Sequence, residues 1–212
     1  MLPFTPEVFF ANFAQYNAAI WPAQIVAYAL GFSVILLLLR PAAWSSPLIA
    51  LILAAAWIWN GAVYHMDHFA RINFAAPLFG ILFIAEGLLL AWSGAVARRL
   101  TFRFRADPMG WTGLTLLIFA MAVYPVLGWL ASHGWPRGPA FGVAPCPTVI
   151  FTMGLLSLAE GRVPLHLLVI PVLWALLGGS AAWLLNVPED LALPLAAFVG
   201  LWLILRKTRV AA

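Results

Sequence analysis

The chain has 212 residues, of which 65% are hydrophobic and 8% charged, with a formal net charge of +4; a soluble domain averages roughly 45–50% apolar and about 25% charged residues. With a mean hydropathy of +1.00 there is too little polar surface to coat a fold in water, so lipid must be the solvent for most side chains. That composition excludes a disordered chain, a coiled coil, a disulfide scaffold and a nucleic-acid-binding domain.

At the N-terminus no basic segment precedes the apolar residues, so the mature chain is expected to begin at Met1. Thr5-Pro6-Glu7 reads as a helix start, with a capping hydroxyl, a proline at the first turn and an acid near the positive helix end. Phe9, Phe10, Phe13 and Tyr16 recur at helical spacing, with Asn12 and Gln15 assigned to the opposite face. This predicts a short amphipathic helix over residues 1–17, lying on the outer leaflet.

Seven apolar segments follow, at Trp21–Leu39, Trp44–Val63, Phe74–Val96, Trp111–Leu130, Pro147–Ala159, Pro164–Leu185 and Pro188–Leu205. Continuous apolar runs in lipid must satisfy their own backbone hydrogen bonds, so they predict helices and not barrel strands. The expected fold is an all-α membrane protein, a seven-transmembrane helix bundle over residues 18–206 with a tail at 207–212. Arg40, Arg98, Arg99, Arg103, Arg105, Arg162, Arg206, Lys207 and Arg209 fall on one side of this threading, and only Arg71 and Arg137 on the other. By the positive-inside rule the N-terminus is then outside and the C-terminus cytoplasmic. The fifth segment is the exception. Its thirteen residues span only about 20 Å at 1.5 Å per residue, so it crosses only if the preceding loop dips into the outer leaflet. Pro125 and Pro171 predict kinks in the fourth and sixth segments, and Gly178 to Ala182 predict close helix packing.

Candidate functional residues are those that do not belong in lipid. Glu86, in FGILFIAEGLLLAW, lies near the bilayer midplane, where an ionisable group costs at least ~2.5 kcal/mol. Two roles fit it: a proton or ion site, or an interhelical hydrogen-bond donor to Tyr124 or to a carbonyl freed by Pro125. The run WIWNGAVYHMDHFARIN places Asn60, Tyr64, His65, Asp67, His68, Arg71 and Asn73 together at the outer end of the second segment. On an α-helix His65 and His68 share one face. With Asp67, His133 and Cys146 expected on the same side, they form a candidate Zn or Cu set. The alternative is interfacial histidines bonded to headgroups or loop carbonyls. Cys146 sits between Pro145 and Pro147 at the start of the short fifth segment, followed by Thr148, and short Pro-interrupted segments point to membrane binding sites. The acids of Val187-Pro188-Glu189-Asp190 read as helix-start capping outside the membrane. The only lysine, Lys207, lies at a span end, so a retinal Schiff base is not expected; nor is a bis-His haem, since no histidine pair shares a depth.

At these same stretches the chain resembles the bacterial integral membrane proteins of domain-of-unknown-function family 6064. The pieces that carry the resemblance are FTPEVFFANFAQYNAAIWPAQ, WNGAVYHMDHFARIN with AAPLFG, FGVAPCPTVIFTMG and PVLWALLGGSAAWLLNVPEDL, in order over most of the chain. The resemblance implies a small multi-pass protein of a bacterial cytoplasmic membrane and no particular activity. The expected function is binding or movement of a small solute or ion through an outward-facing polar pocket. Its residues are Asn60, Tyr64, Asn73, Tyr124 and Thr148, with Glu86 as the protonatable element. A membrane-embedded enzyme or metal-dependent redox protein built on the histidines and Cys146, and an accessory subunit of a larger complex or homo-oligomer, are the other two classes.

Overall fold

A computed structural model describes residues 3–210; the expected chain start at Met1 and the last two residues of the expected tail lie outside the described residues. Helix α1 (Pro6–Ala19) begins where the sequence predicts it, with Thr5 Oγ1 accepting from Val8 N. Its buried face carries Phe9, Asn12, Phe13, Tyr16 and Asn17. Asn12 therefore lies with the aromatic residues and not opposite them, as a position three residues after Phe9 and four before Tyr16 must on an α-helix. The chain then turns by 85° into α2 (Ala23–Leu39). The aromatic face of α1 packs on protein: Phe13 stacks on Tyr64 at 5.0 Å, and the Tyr16 hydroxyl donates to Val143 O at 2.6 Å.

The remaining helices are α3 (Ser45–Arg71), α4 (Ala76–Val96), α5 (Pro108–Leu130), α6 (Pro145–Ser157), α7 (Leu165–Leu185) and α8, which opens with a 3₁₀ turn at Pro188–Leu191 and continues over Ala192–Val210. All seven apolar segments are thus helical. Five of these helices, α3, α4, α5, α7 and α8, are long and apolar enough to cross a membrane, and a sixth span results if the bent pair α1 and α2 counts as one.

Helix α6 explains the short fifth segment. Every one of its residues is buried except Cys146, which is half-buried. A helix of 10–14 apolar residues that is hydrophobic all round belongs in a core, and α6 is packed by α3, α5, α7 and α8. Thr148, Thr152 and Ser157 keep their hydroxyls satisfied by donating to the carbonyls four residues back, and Thr152 also accepts from Trp57 Nε1 at 2.9 Å. Bare backbone lets α5 and α6 meet closely. A Cβ on Gly113 would lie 3.0 Å from Gly154 O, and one on Gly154 would lie 2.8 Å from Gly113 O. Gly178 and Gly179 admit Leu193 and Pro194 of α8 in the same way, as the small-residue run predicts.

Two prolines behave differently. Just ahead of Pro125, α5 widens into a π-helical stretch at Phe119–Val123, the local adjustment expected where a ring displaces a backbone hydrogen bond. Pro171 lies in the first turn of the α-helical part of α7, which starts at Val169. Proline is tolerated there, so no mid-helix kink is required of it.

The two ends of the bundle differ in charge. Strands β1 (Thr101–Phe102) and β2 (Ala159–Glu160) pair antiparallel. Around them Phe104 N donates to Leu38 O, Phe102 N to Ser46 Oγ and Lys207 Nζ to Ala159 O. These bonds gather the ends of α2, α6 and α8 and the start of α3 at one end, with Arg40, Arg98, Arg99 and Arg162 in its turns. The opposite end holds α1, the end of α3 and the starts of α6 and α8.

Candidate functional site

The polar run of α3 is wound as a π-helix over Asn60–His68, followed by a 3₁₀ turn at Phe69–Arg71. A π-turn carries more residues than the 3.6 of an α-turn, which rotates positions three apart onto different faces. His65 and His68 are separated for this reason. His65 is fully buried, with its ring 4.7 Å from Phe83 and 4.9 Å from Trp174, and neither nitrogen has a hydrogen-bond partner among the described residues. His68 packs on Tyr16 at 4.9 Å and pairs through Nδ1 with Val63 O. Asp67 is exposed, binds Arg71 four residues ahead at 2.9 Å and lies 3.4 Å from His68 Nδ1.

His133 and Cys146 lie elsewhere again. His133 Nε2 pairs with Glu189 Oε1 at 2.6 Å and stacks on Phe10, while Cys146 neighbours Asp190 and Trp174. Among the described residues, no three His, Cys, Asp or Glu side chains form a group that could hold a metal ion. Of the five residues of the candidate Zn or Cu set, Asp67 and His68 meet, and the set as a whole is not brought together.

What the sequence missed is the acid pair. Glu189 and Asp190 are buried, Glu189 completely, in the first turn of α8. The Tyr124 hydroxyl donates to Asp190 Oδ1, and Gly128 of α5 leaves room for Glu189, since a Cβ there would lie 2.9 Å from Glu189 Oε1. Locally the sequence is an ordinary acidic helix start. The usable signal is global: the chain has only 7 acidic residues, and two of them adjoin an apolar segment with no basic residue close by in sequence.

The pair separates two cavities. Glu189 and Tyr124 face one of about 350 Å³, walled by Trp21, Gln24, Tyr28, Trp135 and the Gly138–Ala140 stretch. Asp190 faces the other, a chamber of about 180 Å³ beneath α1. Phe9 and Phe13 of α1, Tyr64 and Phe69 of α3, Phe79 of α4 and Trp174 of α7 supply its aromatic walls, and Asn73, Cys146 and Ser180 its other polar edges. Asn73 is also tied locally, accepting from Ala75 N at 3.0 Å at the start of α4.

The structure thus brings Tyr64, Asn73 and, through Asp190, Tyr124 to one place. Asn60 and Thr148 stand apart from it: Asn60 Nδ2 donates to Ala56 O, Gly142 O and Thr148 Oγ1, and Thr148 borders an apolar groove between α2, α3 and α6. Glu86 borders none of these three cavities. It is fully buried on α4 with both carboxyl oxygens lacking a hydrogen-bond partner among the described residues, so no bond to Tyr124 is formed. Phe83, one turn away on the same buried face, sits toward His65 and Trp174.

The fold and this site define a polytopic helical membrane protein with an aromatic, carboxylate-bearing chamber at its less basic end. The chain belongs to the family of unknown function DUF6064, whose sequence profile matches residues 6–212. No curated protein and no solved structure matches it.

Proposed function

We propose that the protein crosses a bacterial cytoplasmic membrane seven times, with its N-terminus outside, and binds a small solute in the chamber beneath α1 for passage into or across the bundle. One observation carries this reading: a cavity of about 180 Å³, open on one side, in which a buried carboxylate, Asp190, stands among aromatic side chains from four helices. Concave, mostly apolar sites with a few convergent polar groups are the usual form of a small-molecule site. A volume below the roughly 300 Å³ at which drug-sized pockets begin suits a compact solute. The site draws on residues far apart in sequence, from Phe4 to Asp190.

Asp190, and not Glu86, is the ionisable group placed to meet the solute. Seven crossings count α2 and the enclosed α6 along with the five long helices; with an odd number of crossings the termini lie on opposite sides, and the basic end is cytoplasmic.

The test is thermal stabilisation of the purified full chain by a panel of compact cations, anions and neutral solutes. A solute at 100 times its Kd stabilises by about 2.7 kcal/mol. Ala181, at the chamber wall, provides the control, because Ala181→Phe fills the space. A solute that stabilises wild type and not Ala181→Phe supports the site. Solutes that stabilise both proteins equally bind elsewhere, and the reading fails.

A further inference from the structure

We infer that the solute of this chamber is a small organic cation, a quaternary or protonated amine held between the Asp190 carboxylate and the aromatic walls. The inference rests on the chamber being a solute site. Among the residues that line it, Asp190 is the single acid and there is no Lys, Arg or His. Among the described residues, no basic side chain forms an ion pair with Asp190. Its partners are the Tyr124 hydroxyl and the Cys146 thiol, neither of which carries positive charge.

The backbone favours an acid at this place. Asp190 lies in the first turn of α8, and its neighbour Cys146 lies in the first turn of α6, so two positive helix ends converge on the carboxylate. These helix ends stabilise the acid but place no cationic side chain beside it. The aromatic walls are ring systems whose faces are electron-rich, and a cation within about 6 Å of such a face is attracted by the ring quadrupole. Phe79 and Trp174 meet edge to face at 5.4 Å, and Phe13 and Tyr64 stack at 5.0 Å. Tyr64 is also stacked on Phe69 at 5.4 Å, so rings cover both its faces, and the lining rings offered to a cation are led by Phe79 and Trp174. An anion would meet Asp190 with no compensating base, and a neutral apolar solute would leave a buried carboxylate without use.

Three probes of nearly one shape separate these cases: choline, its neutral carbon analogue 3,3-dimethylbutan-1-ol, and the anion 3,3-dimethylbutanoate. Binding to the full chain in lipid nanodiscs is measured by calorimetry, with Ala181→Phe as the filled control. Choline is expected to bind about tenfold or more tightly than the alcohol, the advantage of a desolvated cation over an aromatic face, and the anion is expected not to bind. Asp190→Asn should bring choline to within about threefold of the alcohol, since the shape is kept and the charge removed. Should Asp190→Asn not fold, Trp174→Leu keeps the carboxylate and removes a ring, and should weaken choline more than the alcohol.

Equal binding of choline and alcohol, or tighter binding of the anion, overturns the cation assignment while the solute site stands. Absence of binding by all three also overturns it, and the wider panel then decides the solute site separately. Choline binding that survives Ala181→Phe places the cation outside the chamber and overturns both.

Discussion

A buried polar group without a partner and a buried polar group with one respond oppositely to removal. Glu86 has neither oxygen bonded among the described residues, so replacing it by an apolar residue of similar length relieves an unsatisfied group. Glu86→Met is expected to leave the thermal midpoint unchanged or raise it, and a fall of several degrees in differential scanning fluorimetry would show that water or an ion holds the carboxyl. Tyr124 is the contrary case. Its hydroxyl donates to Asp190 with both residues buried, so Tyr124→Phe deprives a buried carboxylate of its donor and should destabilise by about 1–3 kcal/mol, read as a lower midpoint in the same assay. The difference between the two acids was half legible in the sequence. An isolated Glu in an apolar run announces its depth, and Glu86 is indeed buried. The Pro-Glu-Asp turn resembles any exposed helix start, because what encloses it, Tyr124 and His133, lies 66 and 56 residues away along the chain.

Helix placement was legible wherever an apolar run and its stop signal coincide. Asn186 ends α7 in the left-handed conformation, with φ 55°, directly before Val187-Pro188, and Asp107 caps α5 by accepting from Gly110 N at 2.7 Å. The π winding of α3 was not legible. Hydrophobic pattern fixes which residues are helical but not the residues per turn; the π stretch packs on α1 and α4, and its two histidines three apart meet different neighbours. The Asp107 cap makes a prediction of its own. The Gly110 N–H holds the Asp107 carboxyl below its ordinary range, with the Arg105 guanidinium adding to the effect. A carboxylate whose pKa is lower folded than unfolded stabilises above its unfolded pKa, and that contribution fades as pH falls through the folded value. Asp107→Ala should therefore cost about 1 kcal/mol at neutral pH, the usual worth of a helix N-cap, and progressively less below about pH 4, the ordinary Asp range. A deficit that stays constant across a pH series of melting curves would argue against the capping bond.

At the scale of the whole molecule, the charge separation and the hydrogen-bonded ends are two independent views of the same axis. The basic turns come together through β1, β2 and the Lys207 bond to Ala159 O, whereas the positive-inside pattern rests on sequence alone and is blind to those contacts. A seven-crossing chain with this end inside predicts that a reporter active only in the cytoplasm works when fused after Ala212, while a tag placed before Met1 is reached by a membrane-impermeant reagent in intact cells. The alternative arithmetic is specific. If α1 and α2 form one broken span and α6 stays enclosed without crossing, the chain crosses six times and both termini lie on one side. The loop between α6 and α7 discriminates further. A cysteine introduced at Gly161, where a Cβ would meet no other atom within 4 Å and φ is +67°, tests the side on which α6 ends, in a Cys146→Ser background that removes the native thiol. Protection of that cysteine from an external impermeant maleimide, together with labelling of one placed at the exposed Arg137 in the turn before α6, requires the chain to pass from one face to the other between them. Labelling of both from outside would mean that α6 enters and returns without crossing, and the seven-crossing count would fail.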